Sequence, residues 1–188
     1  LQDINRYPDR EFTELRESFA RYLGNGLAAE NIWAANGSNE VLQHVLQAFG
    51  GPGRTAFAFA PSYSMYPLLT RATGASWITG TRGADYSIEP ADAAAQVAAA
   101  DPDIIFLCSP NNPTGTPLDI AVIEAVYEAS RGMVIVDEAY WEFAPKDQRS
   151  AITLLEGRPR LLVSRTMSKA FAFAGARVGY LAADPAVI

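Results

Sequence analysis

The sequence predicts an α/β fold: a mostly parallel sheet of about seven strands, covered on both faces by helices in three layers, α/β/α. Two observations carry this. Short apolar runs alternate with amphipathic stretches along the whole chain, and two of those runs, 103–109 and 133–136, are almost wholly apolar, as strands buried on both faces are. A third is the set of polar residues directly after the runs, because open parallel sheets bind ligands at the carboxyl ends of their strands.

The elements follow in chain order. Phe12, Leu15, Phe19 and Leu23 recur at helical spacing between charges and predict a helix over 11–23. Residues 32–35 make a short strand. Val41, Leu42, Val45, Leu46 and Phe49 then mark a helix that stops at Gly50-Gly51-Pro52-Gly53. Residues 55–60 form a strand ended by Pro61, and 63–73 a helix despite Pro67. A strand over 76–79 precedes an alanine-rich helix over 90–100, with Pro90 suited to its first turn. The buried strand 103–109, a helix over 118–130, the buried strand 133–136 and strands over 161–164 and 179–182 complete the series.

The chain has 188 residues, 49% of them hydrophobic and 19% charged, a globular balance that excludes a disordered segment. Its formal charge of −6 makes it a poor non-specific nucleic-acid binder, which needs a basic face. With one cysteine, Cys108, and one histidine, His44, it forms no intrachain disulfide and no Cys/His zinc cluster, which favours a reducing cytoplasm. Core or surface roles suffice for both residues. No apolar run is long enough to cross a bilayer, and no signal peptide opens the chain. No interdomain linker or internal repeat stands out.

The residues after the strands carry the chemistry. Asn36-Gly37-Ser38-Asn39-Glu40 opens a helix, so Ser38 and Asn39 either cap it or help its free N–H groups hold a phosphate. Tyr63 and Tyr66 follow Pro61 and offer a ring for packing or for stacking on a planar ligand. Ser109-Pro110-Asn111-Asn112-Pro113-Thr114-Gly115 makes a stiff loop able to hold an Asn amide against a ligand. Asp137 ends a buried strand, so its charge needs a partner, whether a helix cap, a cation, a metal or a protonated ring nitrogen. A metal suits it least, because Glu138 is the only adjacent ligand and points to the opposite face. Lys169 lies between hydroxyls and an apolar stretch; it is a surface lysine or, in an apolar pocket, a nucleophile toward carbonyls. Arg177 offers a fork for phosphate. One ligand accounts for the whole set: pyridoxal 5′-phosphate, with its phosphate, flat ring, ring nitrogen, phenolic oxygen and aldehyde.

The motifs Asn-Gly-Ser-Asn-Glu (36–40), Ser-Pro-Asn-Asn-Pro-Thr-Gly (109–115), Val-Asp-Glu-Ala-Tyr (136–140) and Thr-Met-Ser-Lys-Ala-Phe (166–171) resemble, in content and order, those of the fold-type I pyridoxal-phosphate-dependent aminotransferases. Finer motifs at 5–9, 31–36, 61–66 and 168–175 resemble the branch that takes histidinol phosphate, particularly its actinobacterial form.

The resemblance implies that Lys169 joins the cofactor's aldehyde and that Asp137 pairs with its ring nitrogen. It implies that Asn112 and Tyr140 bond the phenolic oxygen and that Tyr63 stacks on the ring. Ser38, Asn39, Thr166, Ser168 and Arg177 would hold the phosphate, and Tyr7 would reach the cofactor of a neighbouring subunit in a homodimer. It also implies a layout: residues 1–25 lead into a cofactor-binding large domain over 26–188, and a C-terminal small domain lies outside this chain. The reaction implied is transamination between histidinol phosphate and 2-oxoglutarate in histidine biosynthesis. Rival readings are an aromatic amino-acid aminotransferase on the same scaffold and a non-catalytic domain of that kind. A nucleotide-binding domain is disfavoured, since 36–41 supplies no G-x-G-x-x-G turn.

Overall fold

The computed structural model describes residues 5–188; the first four residues of the expected 1–25 segment lie outside it. One seven-stranded sheet organises the chain. Its strands are β1 (Ile32–Ala35), β2 (Thr55–Ala60), β3 (Ser76–Thr81), β4 (Ile104–Cys108), β5 (Met133–Asp137), β6 (Leu161–Thr166) and β7 (Gly179–Ala182), in the order β1-β7-β6-β5-β4-β2-β3. The pairs from β3 through β2, β4 and β5 to β6 are parallel, and β7 runs antiparallel to both β6 and β1. The reversal follows from the connection: only a one-turn 3-10 helix, Ala174–Ala176, lies between β6 and β7, so no α-helix carries the chain back for a parallel return.

Among the described residues, five α-helices cover the sheet: α1 (Thr13–Leu23), α2 (Ser38–Phe49), α3 (Met65–Ala72), α4 (Pro90–Ala100) and α5 (Ile120–Ala129). Side chains alternate along each strand, so each face has its own core. Ile105, Leu107, Val134, Val136, Leu161 and Val163 pack with residues of α1, α4 and α5. Ile104, Phe106, Cys108, Ile135 and Leu162 pack with Val41, Leu42, Val45 and Leu46 of α2 and Tyr66 of α3. Each fully buried Leu, Ile or Phe contributes about 1.5–3 kcal/mol, and truncating Leu42, which has no solvent exposure, would cost roughly 2–5 kcal/mol.

Local chemistry sets the helix ends. The Asp9 carboxylate accepts from the N–H groups of Glu11 (3.2 Å) and Thr13 (2.9 Å), and Phe12 is left-handed at φ 50°, so α1 starts at Thr13 rather than Glu11. Pro67 is the third residue of α3, within the turn whose N–H groups lack helical partners, so it does not break the helix. Asp119 caps α5, accepting from the Ala121 N–H at 2.8 Å. The outcome that matters for chemistry is the register: Cys108 lies opposite Asp137, and Asp137 opposite Ser164.

Candidate active site

Asp137 is the last residue of β5 and continues the row of Ile135 on the α2/α3 face. It is only 3% exposed, yet its carboxylate is well bonded. Oδ1 accepts from the Ser164 hydroxyl (3.1 Å) and the Ala139 N–H (3.2 Å), and Oδ2 accepts from the Tyr66 hydroxyl (2.8 Å). Burial raises its pKa above the ordinary value; those three bonds and the charge of Lys169 act in the opposite direction. Desolvation of Tyr66 pushes that phenol far above its ordinary value, reinforced by Asp137, so Tyr66 remains a donor.

Asp137 forms the floor of a small cavity of about 40 Å³. Tyr63, Asn112, Tyr140 and Lys169 line its walls, with Ser38 and Cys108 beside them. Lys169 is exposed and stands at the rim rather than in an apolar pocket, with Nζ 5.4 Å from the centre of the Tyr140 ring. The Tyr63 hydroxyl donates to Asn39 Oδ1 at 3.2 Å, and its ring meets that of Tyr66 edge-on, 5.4 Å between centres. Cys108 is buried, and desolvation, the largest influence on its thiol, pushes it up to about 12, so it is an inert wall.

The two asparagines of the stiff loop divide its work. Asn111 is buried: its amide donates to the Pro61 carbonyl (3.1 Å) and Thr114 Oγ1 (2.8 Å), and its Oδ1 accepts from the Ser62 hydroxyl (3.1 Å). The loop is thereby tied to the end of β2, and half-buried Asn112 is left facing the cavity.

One end of the site is built for an anion. Gly37, at φ +91°, is the N-cap of α2, and no side chain caps that helix, so neither Ser38 nor Asn39 plays the capping role open to it. First-turn N–H groups are therefore free of side-chain acceptors. Arg177 donates to Asn36 O (3.3 Å), Ala174 O (3.0 Å) and Ser168 Oγ (3.4 Å), and the Thr166 hydroxyl donates to Ser168 Oγ (3.1 Å). Arg177 has no carboxylate partner among the described residues. Two glycines permit this assembly. A Cβ on Gly37 would overlap the Arg177 guanidinium, and one on Gly179 would overlap the backbone of Gly37 and Ser38.

Lys169, Asp137, Tyr140, Asn112, Tyr63 and Ser38 therefore share one cavity, and Ser38, Asn39, Thr166, Ser168 and Arg177 cluster around the start of α2 beside it. Tyr7 stands fully exposed and outside the cavity lining. Tyr66, Ser164 and Asn111 hold the lining residues in place; the sequence offered Tyr66 as a ring for packing or stacking, and gave Ser164 and Asn111 no role of their own. The spacing of Tyr66 from Tyr63 was a signal for the first; the others depend on register. Among the described residues no cluster of three or more His, Cys, Asp or Glu is placed to hold a metal, and no helix is long and apolar enough to cross a membrane.

Comparison with known proteins identifies the chain's family. The family model for aminotransferase class I and II matches residues 1–188. The chain is 65% identical over 187 residues to the histidinol-phosphate aminotransferase of Paenarthrobacter aurescens, covering 98% of this chain and 50% of that protein. It is 56% identical over 185 residues to the enzyme of the same name from Thermobifida fusca, again covering 98% and 50%. Among solved structures, histidinol-phosphate aminotransferase from Sinorhizobium meliloti in complex with pyridoxal-5′-phosphate superposes with a TM-score of 0.89 at 27% identity, covering 98% of this chain and 50% of that one. The chain thus spans about half the length of the curated relatives it matches.

Proposed function

The chain belongs to the aminotransferase class I and II family, and on that premise we propose that it forms the cofactor domain of an enzyme transferring an amino group from L-histidinol phosphate to 2-oxoglutarate, giving imidazole acetol phosphate and glutamate in histidine biosynthesis. Residues 26–188 are the large domain, 1–25 lead into it, and the remaining length of the relatives corresponds to further chain that would complete the substrate site. The enzyme works in the cytoplasm as a homodimer in which Tyr7, exposed here, reaches the partner's cofactor. Its substrates are small molecules. The carrying observation is that a buried carboxylate, an aromatic wall, an amide, a phenol and a lysine converge on one cavity next to an anion cradle.

This donor set fits pyridoxal phosphate. The cradle of Ser38, Asn39, Thr166, Ser168 and Arg177 suits its phosphate, since Arg177 is an unpaired fork beside an uncapped helix start. Tyr63 suits the flat ring face, and Asn112 and Tyr140 suit the phenolic oxygen. When bound, the cofactor supplies an electron-accepting ring conjugated to an aldehyde carbon.

The residues divide the remaining work. Lys169 Nζ would hold the aldehyde carbon, and its amine would be the group placed to move a proton between the substrate carbon and that former aldehyde carbon. Its place at the rim, on the Tyr140 ring, suits a group that must swing between those tasks. Asp137 would keep the ring nitrogen protonated. Its burial makes an unpaired negative charge unfavourable, so a cationic nitrogen against it relieves a cost already built into the fold.

Borohydride reduction of the intact protein loaded with pyridoxal phosphate, followed by peptide mapping, tests the reading. The adduct is expected at Lys169 alone, and an unlabelled or scattered pattern refutes it. Steady-state kinetics with histidinol phosphate and with aromatic amino acids tests the donor: preference for an aromatic amino acid would replace it.

A further inference from the structure

Asp137 lines the cavity and Thr166 lies on the same face of the sheet, so their strand neighbours Glu138 and Arg165 face the opposite side. There they form a buried ion pair, with side-chain exposures of 2% and 6%. Arg165 reaches Glu138 Oε2 through Nε (3.0 Å) and a terminal guanidinium nitrogen (2.7 Å). The other carboxylate oxygen accepts from the Ala151 N–H at 2.8 Å. The Ser150 hydroxyl donates to Glu138 at 2.8 Å and accepts from Arg165 at 2.9 Å. Arg165 also lies over the Trp141 ring, 5.3 Å from its centre, and 3.8 Å from Glu142, to which the Tyr22 hydroxyl donates at 3.3 Å.

The segments joined here matter more than the number of bonds. Glu138 lies between Asp137 and Tyr140. Arg165 precedes Thr166, Ser168 and Lys169 on one short stretch. Trp141 directly follows Tyr140. Each of those site-bearing segments passes through the cluster, and none of the cluster's charged groups lines the cavity. Stability alone is a poor reason for such a pair, because apolar side chains of similar volume often do as well as buried ions. What a doubly bonded guanidinium–carboxylate pair supplies is fixed geometry.

We propose that Glu138 and Arg165 are positioning residues, which from behind the sheet hold the Asp137–Tyr140 and Thr166–Lys169 segments at the spacing the cofactor requires. The proposal rests on the cofactor reading above, but it also has a consequence for the ligand-free protein: the pair limits local opening at the two strand ends.

The test uses the intact protein and the double variant Glu138→Gln/Arg165→Met. It is neutral, preserves volume and keeps an amide oxygen for the Ala151 N–H. The ligand-free variant is expected to melt with the wild type, while the amides of Ala139 and Ser168 exchange hydrogen about tenfold faster and added pyridoxal phosphate binds about tenfold more weakly, a loss typical of removing a supporting shell. Unchanged exchange at those two amides overturns the proposal; so does faster exchange spread over the whole sheet, which marks an ordinary structural role. Arg165→Lys keeps the charge but not the fork, and decides the matter if the double variant does not fold. Faster exchange confined to the same amides supports positioning, and wild-type exchange refutes it. If the wild type fails to bind pyridoxal phosphate, the functional reading falls, while the exchange measurements still judge the ion pair.

Discussion

The Tyr66 hydroxyl, with no solvent exposure, donates to Asp137 Oδ2 at 2.8 Å, so the group best placed to set the charge of the cavity floor belongs to a helix of the adjoining layer rather than to the cavity wall. Tyr66 is itself fixed by stacking on Phe106, 4.5 Å between centres and 6° between planes. Its burial holds the phenol protonated. The bond can therefore only support the ionised form of Asp137, against the desolvation that disfavours it.

Tyr66→Phe keeps the ring and deletes the donor. A hydrogen bond to a charged group is worth about 1.5–3 kcal/mol, so stability at neutral pH should fall by about that amount. The pH dependence carries the sign. Burial raises Asp137's folded pKa above its ordinary unfolded value, so between the two the folded protein binds more protons than the unfolded chain. Its contribution is present below the unfolded value and is lost as pH rises through the folded one. Removing Tyr66's support lifts the folded value further. Chemical denaturation of both ligand-free proteins from pH 4 to 8 should show a stability gap that widens with pH. A constant gap would mean that the hydroxyl does not interact with the charge.

Lys169→Ala should leave the fold intact, since Lys169 is exposed and no hydrogen bond of its amine holds the rim. Loss of a covalent anchor and proton carrier should cost at least about 10²–10⁴-fold in turnover. Circular dichroism and melting should match the wild type while transamination falls to background. Turnover near the wild-type value would remove Lys169 from the chemistry.

Much of this fold is legible in the sequence, and the reasons are local. β2, α4 and β7 occupy the expected ranges because Pro61, Pro90 and Gly179 punctuate them. β5 and β6 run one and two residues further than their apolar runs, to Asp137 and Thr166, because the ladder continues beneath polar side chains that the sheet buries. Hydropathy cannot foresee that. Lys169, Asp137, Asn112 and Tyr140, which share one cavity, could be picked out as candidates because each lies at or just beyond a strand end. The bonds of Tyr66, Ser164 and the Glu138–Arg165 pair could not be, because their partners are set by register and layer packing. From sequence, Tyr66 offers a ring for packing or stacking, with nothing to pair its hydroxyl with Asp137.

Gly179→Ala tests the anion cradle without touching a proposed ligand. A Cβ there collides with the backbone of Gly37 and Ser38, so the start of α2 must lift away from β7. Overpacking of this kind costs roughly 1–3 kcal/mol. The same shift separates Asn36 O from Arg177, a contact of 3.3 Å. Both the melting temperature and the affinity for pyridoxal phosphate should fall, and affinity for pyridoxal, which lacks the phosphate, should change much less. Equal losses for the two compounds would place the damage elsewhere.

Asp137→Asn separates catalysis from folding most sharply. The amide is nearly isosteric, and its oxygen can still accept from Tyr66 or Ser164. It also removes a buried charge whose desolvation outweighs its hydrogen bonds in the ligand-free protein. Melting at neutral pH should therefore be unchanged or slightly higher. The cofactor's ring nitrogen, in contrast, would lose the anion that keeps it protonated. Turnover per bound cofactor should fall by roughly 10²–10⁴-fold, with a smaller effect on cofactor affinity, since the phosphate cradle is untouched. The measurement pairs calorimetry of the ligand-free variant with single-turnover kinetics of the loaded one. A variant that loses stability and activity in proportion, with normal turnover per folded molecule, would show that Asp137 holds the sheet end together and does nothing for the reaction.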